Sequence, residues 1–525
     1  MVDFKPNPKW LSEDNVEIEF HKFEPQLQRE KPLDKVNYTD LSSDRTLVLE
    51  VLLVFFLVLT VQSAMGIGSY SGHNKPPMFG DYEAQRHWME VTYHLPLSQW
   101  FVNSSSNDLL YWGLDYPPLT AYHSYLMGVI AHHVDPSWVA LGESRGHESP
   151  ENKRFMRYTA ILPTHLIYLP ALAFFFFRVA RKSKENDTSL LFGLAAMYPG
   201  LIVIDNGHFQ YNSVSLGLFL AAVVALIRNR QLLGSFLFVL ALNYKQMELY
   251  HSLPIFIFIL ARSIRKPVIE NVFQSLFTIA KVGIVVVLTF LALWLPFILT
   301  RTHGDVLRRI FPFSRGVYED KVASVWCSFS FIFKRLPESF QRVQILLSTL
   351  AVLLFSAPSL YRLFTRPTDK NFRLCLFTTS LSFFLFSFHV HEKTILQPAA
   401  AALLLLGDFP REISLFLHIS NVSLFSLCIK DENRKLIVCF IAYYIWTSLL
   451  LKTGSFAKEL AIHVSSIIGL LICLAELWAP VPVHLPHIYP LAMAIFCCLN
   501  FLFCLYHFTM LMFTEEQATK KKKEN

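Results

Sequence analysis

The sequence predicts an all-α polytopic membrane protein with about 14 transmembrane helices. Three observations carry that class. Of 525 residues, 53% are hydrophobic and 14% aromatic, while only 17% are charged; a soluble chain carries about 25% charged residues. The apolar residues gather in runs, many of them near the roughly 20 residues that a hydrocarbon core demands. The basic loops between these runs fall mostly on one side, as the positive-inside rule asks. The charge of +7 is modest, and no Lys/Arg patch is interleaved with aromatics in a polar setting, which argues against a nucleic-acid partner. Of the eight cysteines, only Cys327 lies in a polar loop, so neither a disulfide framework nor a CxxC zinc site is expected.

Residues 1–45 are polar and mixed in charge, with no basic leader and no small-residue cleavage site, and read as a cytosolic tail. The run Thr46–Met65 is then an uncleaved first span. Further runs occur at Tyr158–Phe177, Phe273–Thr300, Val343–Ala357, Leu374–Phe388, Thr394–Leu406, Ile413–Ile429, Leu436–Leu451, Leu460–Trp478 and Ile488–Phe513. Two shorter pairs lie between them, Leu190–Ile204 with Ser213–Ile227 and Leu232–Leu242 with Ser252–Ala261, and each pair preserves the parity of the later spans. With a cytosolic N-terminus, the groups Arg178 to Lys184, Arg228 with Arg230, Arg262 to Lys266 and Arg362 to Lys370 all face the cytosol. Parity requires that Val322–Phe333 be interfacial or re-entrant. The loop with Lys430, Arg434 and Lys435 falls on the disfavoured side. The tail 514–525 is cytosolic, and Lys522 with Lys523 match a dilysine retrieval signal of the endoplasmic reticulum.

That topology leaves one long non-cytosolic loop, 66–153, and shorter pieces at Asp205–Asn212, Asn243–His251, Arg301–Lys321 and His389–Lys393. Charge gathers at one face rather than along a path through the bilayer, which suits interfacial chemistry better than transport. In PPMFGDYEAQRHWMEVTYHLP, helical spacing puts Asp81, Gln85 and Trp88 on one face, where they could address a sugar; a helix cap at Asp81 is the competing reading. In YWGLDYPPLTAYHS, Asp115 could simply close an Asx turn. The Arg301–Lys321 loop concentrates Arg301, Arg308, Arg309, Arg315 and Lys321 in the disfavoured compartment, which points to an anionic partner such as a phosphate, or to pairing with Asp305, Glu319 and Asp320. His389, His391 and Lys393 suit phosphate or hydroxyl contacts better than a metal. Of the Asn-x-Ser/Thr triplets, Asn103 is the plausible glycan acceptor.

The stretches GDYEAQRHWME, YWGLDYPPLTAYHS, IDNGHFQYNSVSLG, LNYKQMELYH, RRIFPFSRGVYEDKVASVWCSF and FSFHVHEK, in this order, resemble the endoplasmic reticulum α-1,3-glucosyltransferases that act on dolichol-linked oligosaccharides. The likeness covers about Ser69 to Lys393 and is nearer the branch that adds the first glucose than the paralogous branch that adds the second. It implies a GT-C glycosyltransferase fold: a core module over 46–300 with the catalytic loop 66–153, a basic lumenal loop at 301–340, and a variable transmembrane module at 341–513. It further implies dolichyl-phosphate glucose as donor, a dolichyl-pyrophosphate-linked oligosaccharide as acceptor, the lipid bilayer as setting, and no cofactor or metal.

An inverting transfer to a mannose hydroxyl needs one carboxylate as general base. The leaving dolichyl phosphate is a stable anion and needs no second carboxyl acid, unlike a glycosidase leaving group. By the family's motif the catalytic aspartate is Asp81, with Asp115 as the second carboxylate. The same motifs nominate Gln85, Arg86, His87, Trp88, Tyr116, His208, Gln210, Tyr211 and Lys245 for substrate, and Arg309, Arg315, His389 and Lys393 for the phosphate. A lipid-linked sugar transporter or scramblase is the non-enzyme alternative, though no internal repeat supports it.

Overall fold

The computed structural model describes residues 41–180, 187–264, 271–311, 322–329, 341–388, 390–451 and 455–524, without the side chains of 41–45, 341 and 515–524. The chain divides at Leu49 into two compact units, of which Glu50–Asn525 is by far the larger. The described residues contain helices and no strands. In chain order these are α1 (Leu41–Ile67), α2 (Gly80–His94) and α3 (Pro118–Val134), then α4 (Pro150–Val179) and α5 (Thr188–Phe209). Next come α6 (Asn212–Ile227), α7 (Gln231–Tyr244), α8 (Leu249–Ser263), α9 (Val272–Leu299), α10 (His303–Ile310), α11 (Gln341–Thr365), α12 (Asp369–Phe386) and α13 (Leu396–Leu403). The last four are α14 (Pro410–Lys430), α15 (Ile437–Leu450), α16 (Phe456–Trp478) and α17 (Ile488–Glu524).

Among the described residues eight helices, α1, α4, α5, α9, α11, α14, α16 and α17, are long and apolar enough to cross a membrane, fewer than the fourteen runs in the sequence. Several of the other runs form shorter helices, α7 and α15 of 14 residues and α8 of 15, and burial in protein selects apolar residues as lipid does. Helix α6 is only 16 residues long and buried on nearly every one, and Thr394–Leu406 resolves into a 3₁₀ turn, the eight-residue α13 and further turns. The mostly buried α5 and α14 form the interior, whereas α1, α9, α11 and α16 turn most of their apolar surface outward. Lipid tails offer no hydrophobic gain for helix association, so polar contacts help to hold the bundle. His418 lies 2.7 Å from Thr447 Oγ1 and 3.0 Å from Ser466 Oγ, and Arg411 pairs with Glu459.

The Val322–Phe333 stretch, in its described part, is one helical turn, Val325–Ser328. It packs inward, Trp326 Nε1 donating to the Phe386 carbonyl (2.9 Å) and Ser328 Oγ to that of Ala494 (3.0 Å). Cys327, expected in a polar loop, is consequently buried.

Candidate functional site

The long loop after α1 is built around α2, and its entry is a close backbone crossing. Gly72 and Gly80 both have positive φ, +79° and +70°. A Cβ on Gly72 would lie 1.8 Å from the Phe79 carbonyl carbon, and one on Gly80 would lie 2.6 Å from that of Ser71, so only glycine fits at either position. The crossing brings Ser71 Oγ to the Asp81 amide (3.1 Å) and the Ser71 amide to the His208 carbonyl (3.0 Å). Ser71 thus satisfies an orphan N–H of the α2 start. The cap reading of Asp81 is overturned: the N-cap position is Phe79, and the Asp81 carboxylate turns to other partners.

Those partners converge on one oxygen. Asp81 Oδ2 lies 2.6 Å from Lys393 Nζ and 3.1 Å from His208 Nε2, and it accepts from Gln210 Nε2. None of these contacts involves Oδ1, and the side chain keeps 19% of its surface exposed. Burial alone pushes the Asp81 carboxyl up, but Lys393 and then His208 outweigh it, so it lies well below the usual carboxylate range. Burial likewise opposes the Lys393 ammonium, and Asp81 holds it above its ordinary value.

Helix α5 delivers His208 and Gln210 through a widened π-helical stretch, Val203–Phe209, which ends where Phe209 takes φ +93°. The same stretch lets Asp205 accept from the Asn212 and Ser213 amides (3.0 and 2.7 Å) and from Asn212 Nδ2 (2.8 Å), which caps α6. Lys245, just past α7, donates to Asn212 Oδ1 (2.6 Å) and Gln210 Oε1 (3.3 Å) and stands 5.0 Å above the Tyr116 ring. Burial, then the charge of Lys393, pushes its ammonium down to about 8. Tyr116 donates to Gln210 Oε1 (3.3 Å). Gln85, Tyr116, Thr120, Gln210, Tyr211, Tyr244 and Lys245 line a narrow cavity here. Gln85 Oε1 is buried there without a hydrogen bond, an acceptor able to take a substrate hydroxyl.

The structure therefore brings Asp81, Gln85, Tyr116, His208, Gln210, Lys245 and Lys393 together. Asp115 stands half-buried beside them before α3, and its carbonyl accepts from Gln246 Nε2 (3.1 Å). Two expected substrate contacts, Arg86 and Trp88, are corrected, and His87 is enclosed with them, its Nε2 without a hydrogen bond. Arg86 is enclosed, and its guanidinium donates to Glu83 (2.6 and 2.7 Å), Glu90 (2.8 Å), Ser144 Oγ (2.5 Å) and the Trp138 carbonyl (3.1 Å), which fills its five N–H groups. His87 is buried with Nδ1 3.2 Å from Glu90. Trp88 is buried against Tyr116 and donates to the Trp112 carbonyl at 2.7 Å. Tyr211 lines the cavity, but its hydroxyl is engaged with Thr159 Oγ1 at 2.6 Å. Arg309 clamps the carbonyls of Gly113 and Leu114 (2.6 and 3.0 Å) and so fixes the turn ahead of Asp115. Arg315 and His389 lie outside the described residues.

One site residue carries no motif signal. Asp431, in the turn after α14, places Oδ2 2.6 Å from His208 Nδ1. That turn docks on the long loop, Asn433 Nδ2 donating to the Ser69 carbonyl (2.9 Å) and Lys75 Nζ to that of Lys430 (2.7 Å). This contact places the basic Lys430–Lys435 turn against the long loop 66–153. Its repeated charge has the look of a misplaced cytosolic loop, and only its Asp and Asn hint otherwise. Among the described residues no three His, Cys, Asp or Glu side chains are grouped as a metal ion would need.

The ALG6, ALG8 glycosyltransferase family model matches residues 47–508. A Caenorhabditis elegans protein named probable dolichyl pyrophosphate Man9GlcNAc2 alpha-1,3-glucosyltransferase is 52% identical over 93% of this chain and 94% of its own length. A Drosophila melanogaster protein of the same name is 44% identical, over 86% and 96%. The Mus musculus dolichyl pyrophosphate Man9GlcNAc2 alpha-1,3-glucosyltransferase is 41% identical, over 90% and 98%.

Proposed function

Because the chain belongs to the ALG6, ALG8 glycosyltransferase family, whose GT-C fold its helices share, we propose that it moves glucose from dolichyl-phosphate glucose to dolichyl-pyrophosphate-linked Man9GlcNAc2. The bond formed is the first α-1,3 glucosidic linkage, on a terminal mannose. The names of the similar proteins support that acceptor over one already carrying a glucose. The endoplasmic reticulum membrane, with the site lumenal and both termini cytosolic, is the setting this reading requires.

The observation that carries the proposal is Asp81, gripped by three donors on Oδ2 while Oδ1 takes none of these contacts. In the transfer, Asp81 Oδ1 takes the proton of the mannose 3-hydroxyl as that oxygen bonds to the anomeric carbon. The bond from that carbon to the phosphate oxygen breaks on the opposite face, and dolichyl phosphate leaves as the anion. Lys393 is the cation nearest the base; contact with the donor phosphate would steady the leaving group and loosen its hold on the carboxylate. Gln85 Oε1 and the Tyr116 ring supply an acceptor and an apolar wall for the sugar.

The test is reconstitution of the purified protein with both lipids and measurement of glucose addition to Man9GlcNAc2. Product formation that disappears in Asp81→Asn supports the reading. Transfer from UDP-glucose alone would overturn the donor assignment, preference for an already monoglucosylated acceptor the first-glucose assignment, and lipid flux without product the enzyme itself.

A further inference from the structure

Asp431 is a site residue that the transfer chemistry leaves without a task. It lies 223 positions from His208 in sequence, is 4% exposed, and is held from several sides. Its amide donates to the Leu427 carbonyl (3.1 Å), Glu432 next to it takes φ +62°, and the Asn433 amide closes the turn on Cys428 (2.8 Å). From the long loop, Lys75 pairs with Glu432 at 3.2 Å. A Cβ on Gly68 would come within 2.8 Å of Asn433 Oδ1, so the two segments touch closely. A carboxylate buried this deeply is costly unless a partner uses its charge.

That partner is the His208 ring. An ionised carboxylate can only accept, so the contact at 2.6 Å fixes a proton on Nδ1. Nε2 then stands 3.1 Å from both Asp81 Oδ2 and Lys393 Nζ. The charged groups facing this chain are Asp81 from α2, Lys393 from the turn before α13, and Asp431 itself. Arg157 of α4 adds an electrostatic contact to Asp431. With a carboxylate at each nitrogen, the ring carries a proton on both: Nδ1–H donates to Asp431 and Nε2–H to Asp81, so Asp431 sets the orientation and favours the charge of an imidazolium.

We propose that Asp431 is a positioning residue for the transfer: it fixes His208 through Nδ1, so that Nε2, with Lys393 and Gln210, holds Asp81 by Oδ2 and leaves Oδ1 to the acceptor hydroxyl. The proposal rests on the reading of Asp81 as the base. It makes the C-terminal transmembrane half a contributor to the site, since the turn after α14 supplies the restraint. Without Asp431 the ring has no anionic partner at Nδ1 and is a poorer cationic neighbour for Asp81. The Asp81 carboxyl then rises, and the acid limb of the rate profile moves to higher pH.

The experiment compares wild type, Asp431→Asn, His208→Asn, the double variant and Asp81→Asn as full chains in nanodiscs with both lipid substrates. Asn can still accept from Nδ1, so Asp431→Asn exchanges a charge-assisted bond for a neutral one, and a fall in kcat of about 5- to 10-fold is expected. Apparent KM values should stay within about threefold for both lipids, and the acid limb should shift upward. If Asp431 acts only through His208, removing it in the His208→Asn background adds less than about twofold further loss. Wild-type turnover in Asp431→Asn beside an inactive Asp81→Asn protein would overturn this proposal alone, as would an unmoved pH profile or multiplying losses in the double variant. An active Asp81→Asn protein would instead overturn the base assignment. Should Asp431→Asn fail to fold, Asp431→Glu displaces the carboxylate and keeps its charge: a loss of about tenfold in kcat at unchanged KM supports the proposal, and wild-type kcat overturns it.

Discussion

Helix α2 carries two charged clusters a turn or two apart, and they differ in what is left open. Around Arg86, the Glu83 and Glu90 carboxylates and the guanidinium are all 1% exposed or less, and the five N–H groups of the arginine all have acceptors. Around Asp81, the carboxylate and Lys393 remain 19% and 18% exposed, with Lys393, His208 and Gln210 gathered on one oxygen. The contrast teaches that buried charge on the family's motif is of two kinds. A closed network fixes the loop, whereas an open one holds the Asp81 carboxylate by one oxygen and, on the proposed function, leaves the other for a substrate.

The largest effect that can break this comparison comes from cutting each cluster. Asp81→Asn is expected to lower glucose transfer by about 10²–10⁴-fold, the usual worth of general-base catalysis, with the melting temperature in detergent near wild type. Arg86→Met should do the reverse. Stranding Glu83 and Glu90 costs about 3–5 kcal/mol of stability, while the fraction that remains folded turns over normally. Thermal melts and rates per folded molecule separate the two; a catalytic loss in Arg86→Met without destabilisation would erase the distinction.

How much of the molecule is legible in sequence depends on the range of the contacts. The polar motifs name most of the residues that meet at Asp81, because motif order survives any packing. The i−3 and i+4 spacing of Glu83 and Glu90 around Arg86 is a readable sign of an internal ion network, masked because the motif as a whole points to substrate. Hydropathy alone does not separate a span from a buried helix: α6 is apolar throughout and buried on nearly every residue. Asp431 is least legible: no local pattern marks it, and its meaning arises only when the turn after α14 meets the loop around Ser69.

The two clusters should also differ in how their stability depends on pH. Burial works against the Glu90 charge, but the His87 hydrogen bond and Arg86 bring its carboxyl down to about 2. Its contribution, up to about 3 kcal/mol, is therefore complete above the ordinary carboxylate value and lost as pH falls towards 2. Lys245 runs the other way. Its folded value of about 8 lies below its ordinary 10.5, so the unfolded chain binds more protons between them, and stability rises with pH through that window. Melting curves should show the alkaline rise in wild type and not in Lys245→Met, and the acid loss reduced in Glu90→Gln. A flat alkaline response in wild type would mean that Lys245 is not desolvated beside Gln210.

The finest test uses two tyrosines from one short segment, Tyr111 and Tyr116, whose hydroxyls reach opposite clusters. Tyr111 donates to Glu83 Oε1 at 2.9 Å in the closed network, and Tyr116 donates to Gln210 Oε1 at 3.3 Å beside Asp81. A bond to a charged group is worth about 1.5–3 kcal/mol and one between neutral groups about 0.5–1.5. Tyr111→Phe should therefore lower the melting temperature and leave kcat unchanged, with the loss moderated because Arg86 still holds Glu83. Tyr116→Phe should leave melting near wild type and reduce kcat by about two- to tenfold, the smaller figure applying if Lys245 alone keeps the Gln210 amide turned towards Asp81. The measurement is a pair of melts and a pair of rate curves under saturating donor and acceptor. Should Tyr116→Phe destabilise the protein while Tyr111→Phe slows the transfer, the assignment of α2's two clusters would have to be exchanged.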